Sequence, residues 1–184
     1  MAMQNIFLTG KPQTIADVLD NKDHRSAFQK KLLQQRPLLT LAAVKMNIPG
    51  PIKDNDYLQR LFQKGIDHFE NEMDIATLKV VDSFVWSRQT GRENFYLLTS
   101  DAVELKELAI KFEGTHNLGR LFDIDILINK AGQVHSISRT ELKKTVRQCL
   151  ICSRPAKECA RSRRHSIAEL QHKISEIYAE NFHD

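Results

Sequence analysis

Hydrophobic positions along the chain switch repeatedly between a helical and an extended period, and the switches define its elements. Ile15, Val18 and Leu19 lead at helical spacing toward Ala27, Phe28, Leu32 and Leu33, and Thr14 with Asp17 places a capping-box pair at the start. Pro37 closes that helix, because the residue before a proline is pushed out of the helical region. Leu38 to Met46 is short, apolar and turn-bounded, as a buried strand is, and it runs into a proline- and glycine-bearing loop from Asn47 to Asp54. A second helix is expected over Asp56 to Glu70, with Leu58, Leu61, Phe62, Ile66 and Phe69 on one side. Two strands follow, Ala76 to Trp86 and Asn94 to Thr99, read as a hairpin with a long polar loop around Gly91.

Asp101 is placed to cap a third helix in which Val103, Leu105, Leu108, Ala109 and Phe112 alternate with charges. A short loop, Glu113 to Arg120, leads to a strand from Leu121 to Ile128, a turn at Asn129 to Gly132 and a last strand over Gln133 to Ile137. Thr140 to Arg164 has no clean period, and a terminal helix from Ser166 to Tyr178 carries Ile167, Leu170, Ile174 and Ile177 at helical spacing. Interleaved helices and hairpin-linked strands predict an α+β fold, a mixed and mostly antiparallel sheet with helices packed on one face. Residues 1–184 read as a single domain, with 140–184 a basic, Cys/His-bearing subregion of it.

Composition narrows the class. At 184 residues, 41% hydrophobic and 27% charged, with 7 glycines, 5 prolines and 3 cysteines, the chain is neither disordered, collagenous nor disulfide-stapled. No apolar run approaches the roughly 18 residues of a membrane helix, so no membrane association is expected. The first ten residues lack the basic and long apolar regions of a signal peptide, and a cytoplasmic protein with reduced cysteines is expected.

Locating the charge changes the picture more than counting it. From Lys130 to Lys173 eleven Lys and Arg face only Glu141, Glu158 and Glu169, a net of +8, which leaves −4 for the rest of a +4 chain. A basic end on a mildly acidic body suits phosphates or an acidic protein partner, and equally a solvated helix face.

The densest chemistry lies in Gly119-Arg120-Leu121-Phe122-Asp123-Ile124-Asp125. Carboxylates at i and i+2 of a strand share a face, while Phe122, Ile124 and Ile126 share the other. Two converging carboxylates that leave the remaining positions to water and phosphate oxygens are a common way to hold Mg²⁺ for phosphoryl or nucleotidyl transfer. Gly119 would let backbone amides approach a phosphate, and Glu113, His116, Arg120 and Arg139 supply a third carboxylate and donors for phosphate oxygens. The same pair also suits a strand edge carrying two solvated aspartates.

Cys149-x2-Cys152-x6-Cys159-x5-His165 has the ligand types of a tetrahedral structural Zn²⁺ site. The cysteines also suit small buried hydrophobes, and His165 a phosphate contact beside Arg161, Arg163 and Arg164. In Gly50-Pro51-Ile52-Lys53-Asp54, Pro51 and the preceding Pro49 make a rigid loop that holds Lys53, fit for a phosphate or for a plain turn capped by Asp54 or Asp56.

Helix, glycine loop and DxD strand in that order resemble the core signature of polymerase-beta-type nucleotidyltransferases, with Gly119-Arg120 where that signature usually has Gly-Ser. More specifically, the blocks GPIKD, HNLGRLFDIDIL and RQCLIC through AKECARSRRHS resemble, in order and over about Leu38 to Leu170, the phosphoribosyl-dephospho-CoA transferases of citrate lyase. Asn117 and Phe122 stand where that family often has proline and tryptophan.

The resemblance implies that a serine of the apo acyl-carrier (gamma) subunit attacks the α-phosphorus of 2′-(5″-triphosphoribosyl)-3′-dephospho-CoA and that diphosphate leaves. No nucleophile is then required of this chain. Asp123 and Asp125 would hold Mg²⁺, and Glu113, or failing it Glu141, would be a third ligand or the base. Lys53, His116, Gly119, Arg120, Arg139, Arg161 and His165 would contact the substrate, and the other basic residues of the C-terminal third, Arg147 among them, either the acidic carrier or the CoA-like moiety. A zinc-stabilised nucleic-acid-binding module, or a nucleotidyltransferase with another acceptor, is the alternative. Nucleic acid is not expected, because no aromatic residue between Phe122 and Tyr178 can stack on bases.

Overall fold

The computed structural model describes residues 4–115 and 117–182. Five strands, β1 (Thr40–Met46), β2 (Val80–Arg88), β3 (Gly91–Leu98), β4 (Phe122–Lys130) and β5 (Gln133–Ser136), form one open sheet in the order β2-β3-β1-β4-β5. Every pairing in it is antiparallel. With helices α1 (Ile15–Gln35), α2 (Asp56–Ile75), α3 (Ala102–Thr115), α4 (Ala156–Ser162) and α5 (Ile167–Asn181), this is the α+β fold expected.

Helices cover both faces rather than one. Alternation along each strand divides the apolar side chains: Ala42, Val44, Tyr96, Leu98, Ile124 and Ile126 face a large core built with α2, α3 and α5. Leu41, Ala43, Phe95, Leu97 and Leu127 face a smaller one, closed by Phe28, Leu32 and Leu33 of α1. α1 carries few apolar residues, and the small core needs only its last turns.

Local signals explain the boundaries. Thr14 and Asp17 form the anticipated capping box, Ser166 and Glu169 form another at α5, and Asp101 Oδ1 accepts from the backbone N–H groups of Val103 and Glu104. At α2 neither Asp54 nor Asp56 is the cap; Asn55 accepts from Leu58 N–H while its amide donates to the carbonyls of Ile6 and Thr9. α2 runs past Glu70 because Met73 still reaches the core, and the strand after it starts only at Val80, beyond a left-handed Thr77. The β2-β3 connection is a two-residue turn, since Arg88 pairs with Gly91. Its polar flanks pair readily at a sheet edge, where side chains are solvated.

Candidate functional site: a DxD strand beside an arginine-lined pocket

Asp123 and Asp125 lie on β4 facing the α1 side of the sheet, as the two-residue spacing requires. The register sets Lys45 of β1 directly opposite Asp123, and Glu93 of β3 directly opposite Lys45, so one row of the sheet reads Glu93, Lys45, Asp123. Lys45 Nζ donates to Asp123 Oδ2 at 2.6 Å and Asp125 Oδ2 at 3.1 Å. Burial works to lower the Lys45 pKa, but the two carboxylates outweigh it and hold the ammonium above its ordinary value. Burial likewise works to raise Asp123, but Lys45, with Arg147 at 3.7 Å, keeps that carboxyl below the usual range. Both aspartates remain 43% exposed, so a ligand can reach them.

The ammonium occupies the position between two carboxylates that a divalent cation would take. The donors there are hard oxygens, half open to solvent, and they suit Mg²⁺. Among the described residues no third Cys, His, Asp or Glu joins the pair as a cluster of ligating atoms. Glu93 is buried in the same row, but its Oε1 is held by Asn21 (2.6 Å) and Arg25 (2.9 Å) of α1.

Glu113 is brought to the edge of β4, not to the face that carries the aspartates. There β5 has not yet begun to pair, and side chains satisfy the exposed backbone. Glu113 Oε1 accepts from Ile124 N–H (2.8 Å), its Oε2 pairs with Arg139, and Lys106 Nζ donates to the Ile124 carbonyl (3.0 Å). With both oxygens engaged and 4% of its side chain exposed, Glu113 anchors a strand edge. Glu141 lies in the turn after β5, accepting from Ser138 N–H and His135; the Ser138 hydrogen bonds lower its pKa to about 2.

Gly119 is buried against α3, where a Cβ would sit 2.0 Å from the Phe112 carbonyl oxygen. Close packing of that turn, rather than a phosphate cradle, requires the glycine. Lys53 donates to the Ile48 carbonyl at 2.5 Å, and burial lowers its pKa. Its loop docks on α5 through Gln171, which donates to the Pro49 carbonyl. His116 lies outside the described residues.

Arg147 joins the Asp pair to two adjoining pockets. Its guanidinium donates to the carbonyls of Phe122 and Arg120, each at 2.5 Å, and it lines both pockets together with Arg120 and Gln148. The larger pocket, about 460 Å³, lies between the Asn47–Pro49 loop, the start of α5 and the 147–165 segment, with Arg163 and His165 in its wall. The smaller, about 240 Å³, is bounded by Glu113, Arg139 and Thr145. Arg161 is exposed on α4 and lines neither.

Cys149, Cys152, Cys159 and His165 converge, with one ligand atom from each lying within 4.8 Å of all the others. A hydrogen bond with His165 lowers the Cys152 pKa to about 6, and desolvation raises Cys159 to about 11. The C-terminal charge is displayed outward: Lys143, Lys144, Arg154, Lys157, Arg161, Arg163 and Arg164 are exposed.

Sequence comparison assigns the chain to a family. The model of the apo-citrate lyase phosphoribosyl-dephospho-CoA transferase family matches residues 13–181. The chain belongs to that family. A probable apo-citrate lyase phosphoribosyl-dephospho-CoA transferase of Streptococcus pyogenes serotype M3 is 37% identical over 95% of this chain and 90% of its own length. The Citrobacter koseri apo-citrate lyase phosphoribosyl-dephospho-CoA transferase is 33% identical over 85% of this chain and 84% of its own. Protein CitXG of Leuconostoc mesenteroides subsp. cremoris is 35% identical over 93% of this chain, which spans only 36% of that longer protein. The family is one of transferases, and no described helix of this member is long and apolar enough to cross a membrane.

Sequence reasoning passed over Lys45 and left Arg147 undivided among basic residues for the carrier or the CoA-like moiety. A lysine inside an otherwise apolar, doubly covered strand was the available signal for the first. Nothing local distinguishes Arg147 from its basic neighbours.

Proposed function

We propose that the chain transfers the phosphoribosyl-dephospho-CoA group from 2′-(5″-triphosphoribosyl)-3′-dephospho-CoA to a serine of the apo-citrate lyase acyl-carrier subunit in the cytosol, releasing diphosphate. The observation that carries this reading is the exposed Asp123/Asp125 pair opening beside an arginine-lined pocket, in a chain matched by that family over nearly its whole length. Asp123 and Asp125 would hold Mg²⁺, which when bound supplies charge neutralisation on phosphate oxygens. Lys45 holds the two carboxylates convergent and favours the ionised form of Asp123, and it would release their oxygens to a bound cation.

Arg147 places positive charge 3.7 Å from Asp123 and, with Arg120, in the wall of the pocket, where a triphosphate tail would lie. Arg120 and Arg147 line both pockets, and Arg147 and Lys45 reach the carboxylates, so phosphate contacts are assigned to these three; Arg139 lines only the smaller pocket and Lys53 neither. The 460 Å³ pocket, within the usual size of small-molecule sites, suits part of the dephospho-CoA moiety. Neither Glu113 nor Glu141 is assigned the serine proton, because hydrogen bonds inside the chain hold both oxygens of each.

The test is transfer itself. Purified protein incubated with apo carrier, the triphosphoribosyl substrate and Mg²⁺ is expected to add one prosthetic-group mass to a single carrier serine, with stoichiometric diphosphate. An unmodified carrier under those conditions, or transfer only to a different acceptor, overturns the assignment.

A further inference from the structure

Between Ser138 and Lys173 the buried apolar side chains are those of Cys149 and Cys159. Before α5 begins at Ile167, the stretch holds one seven-residue helix, whose single buried residue is Cys159, and one isolated bridge between Gln148 and Pro155. A segment this long with so little apolar burial cannot hold a fixed conformation by packing alone; small units of this kind are stapled by disulfides or metal. Yet it forms a wall of the 460 Å³ pocket, through Cys149, Cys159, Arg163 and His165.

We propose that Cys149, Cys152, Cys159 and His165 bind one structural Zn²⁺, and that this ion holds the 147–165 segment in place as the pocket wall. Three sulfurs and an imidazole nitrogen, all within 4.8 Å of one another, match the size and donor type of a tetrahedral zinc shell. Cys149 and Cys152 form a knuckle: Cys149 N–H donates to the Arg154 carbonyl (2.8 Å), and the Arg154 backbone N–H donates to the Cys152 sulfur. Cys159 enters from α4 and His165 from just before α5, so the four ligands tie three separate pieces of chain together. Four protein ligands close the shell, which makes the ion structural rather than catalytic. A disulfide would use two thiols and leave a third beside it, and the Cys152–Cys159 sulfurs stand 3.5 Å apart, well beyond a bond.

The knuckle is wired to the DxD strand. Arg120 donates to the Cys149 carbonyl, and Arg147 donates to the carbonyls of Arg120 and Phe122, immediately before Asp123. The zinc reading stands on this geometry and does not depend on which substrate the pocket takes.

Metal analysis of the purified, extensively dialysed wild-type chain is expected to give one zinc per chain. Cobalt substitution of the same protein should show tetrahedral ligand-field bands with thiolate-to-cobalt charge transfer. Cys152→Ser and His165→Ala should each lose the metal, whereas Asp125→Asn should keep it in full. Hydrogen exchange of chelator-stripped protein should lose protection across 147–165 and retain it in β1 and β4. Zinc-free wild-type protein with three titratable thiols and no thermal shift on adding zinc overturns the proposal. So does a Cys152–Cys159 disulfide in protein taken from a reducing cytosol, or unchanged exchange after stripping.

Discussion

The Asp123–Asp125 strand and the Cys149–His165 segment sit side by side and are positioned by opposite means. On β4 the backbone does the work: register with β1 sets Lys45 against Asp123, pleating turns both carboxylates one way, and Phe122, Ile124 and Ile126 lock the other face into the main core. In the neighbouring segment one isolated bridge and Leu150 against the main core are little to do this, and four side chains converge instead. One region is rigid because its backbone is paired; the other is rigid only if its ligands are. In the function proposed above, chemistry that needs two oxygens held together would lie on the first, and one wall of the pocket is built from the second.

The sharpest break between the regions is expected from the carboxylates. Asp123→Asn or Asp125→Asn should lower transfer by about 10²-fold or more while leaving the thermal midpoint and the zinc content close to wild type. Parallel measurement of turnover, melting and metal content checks this; coupled loss of all three would show that the regions are one unit.

A mutation at the strand edge should do the reverse. Glu113→Gln leaves Arg139 without its ion-pair partner, and because the carboxylate is 4% exposed the loss should be about 3 kcal/mol, read by urea unfolding. Correctly folded Glu113→Gln protein should keep most of its turnover. A dead enzyme of undiminished stability would instead return Glu113 to the reaction.

The smallest effect belongs to the exposed charges. Reversing Lys157, Arg161 and Arg164 to glutamate should change stability by no more than about 0.5 kcal/mol. It should raise the KM for an acidic carrier several-fold and flatten its salt dependence, with little change in kcat. Steady-state kinetics with carrier at two ionic strengths decides it. A salt-independent KM would assign those residues no role in docking.

Much of this was legible from the chain alone. The capping boxes at Thr14 and Ser166, the cap at Asp101, the strand order along the sequence, the shared face of Asp123 and Asp125 and the grouping of three cysteines with His165 all follow from local spacing, because capping and pleating are short-range. The side of the sheet that α1 covers was not, since its small apolar stripe meets a face assembled from four different strands. Nor was the reason for Gly119, which is the Phe112 carbonyl packed against it from another element.

The sequence by itself determined the elements, the two aspartates as a pair and the ligand types of the cysteine cluster. Only the tertiary structure decided which groups share the aspartates' surroundings. Lys45 is 78 residues from Asp123, Arg147 is met at the far side of a strand edge, and Glu113, adjacent in sequence to the glycine loop, is turned away to satisfy Ile124 N–H. Partners across a sheet are fixed by register and by the need to pair every buried backbone group, and neither is written in local spacing.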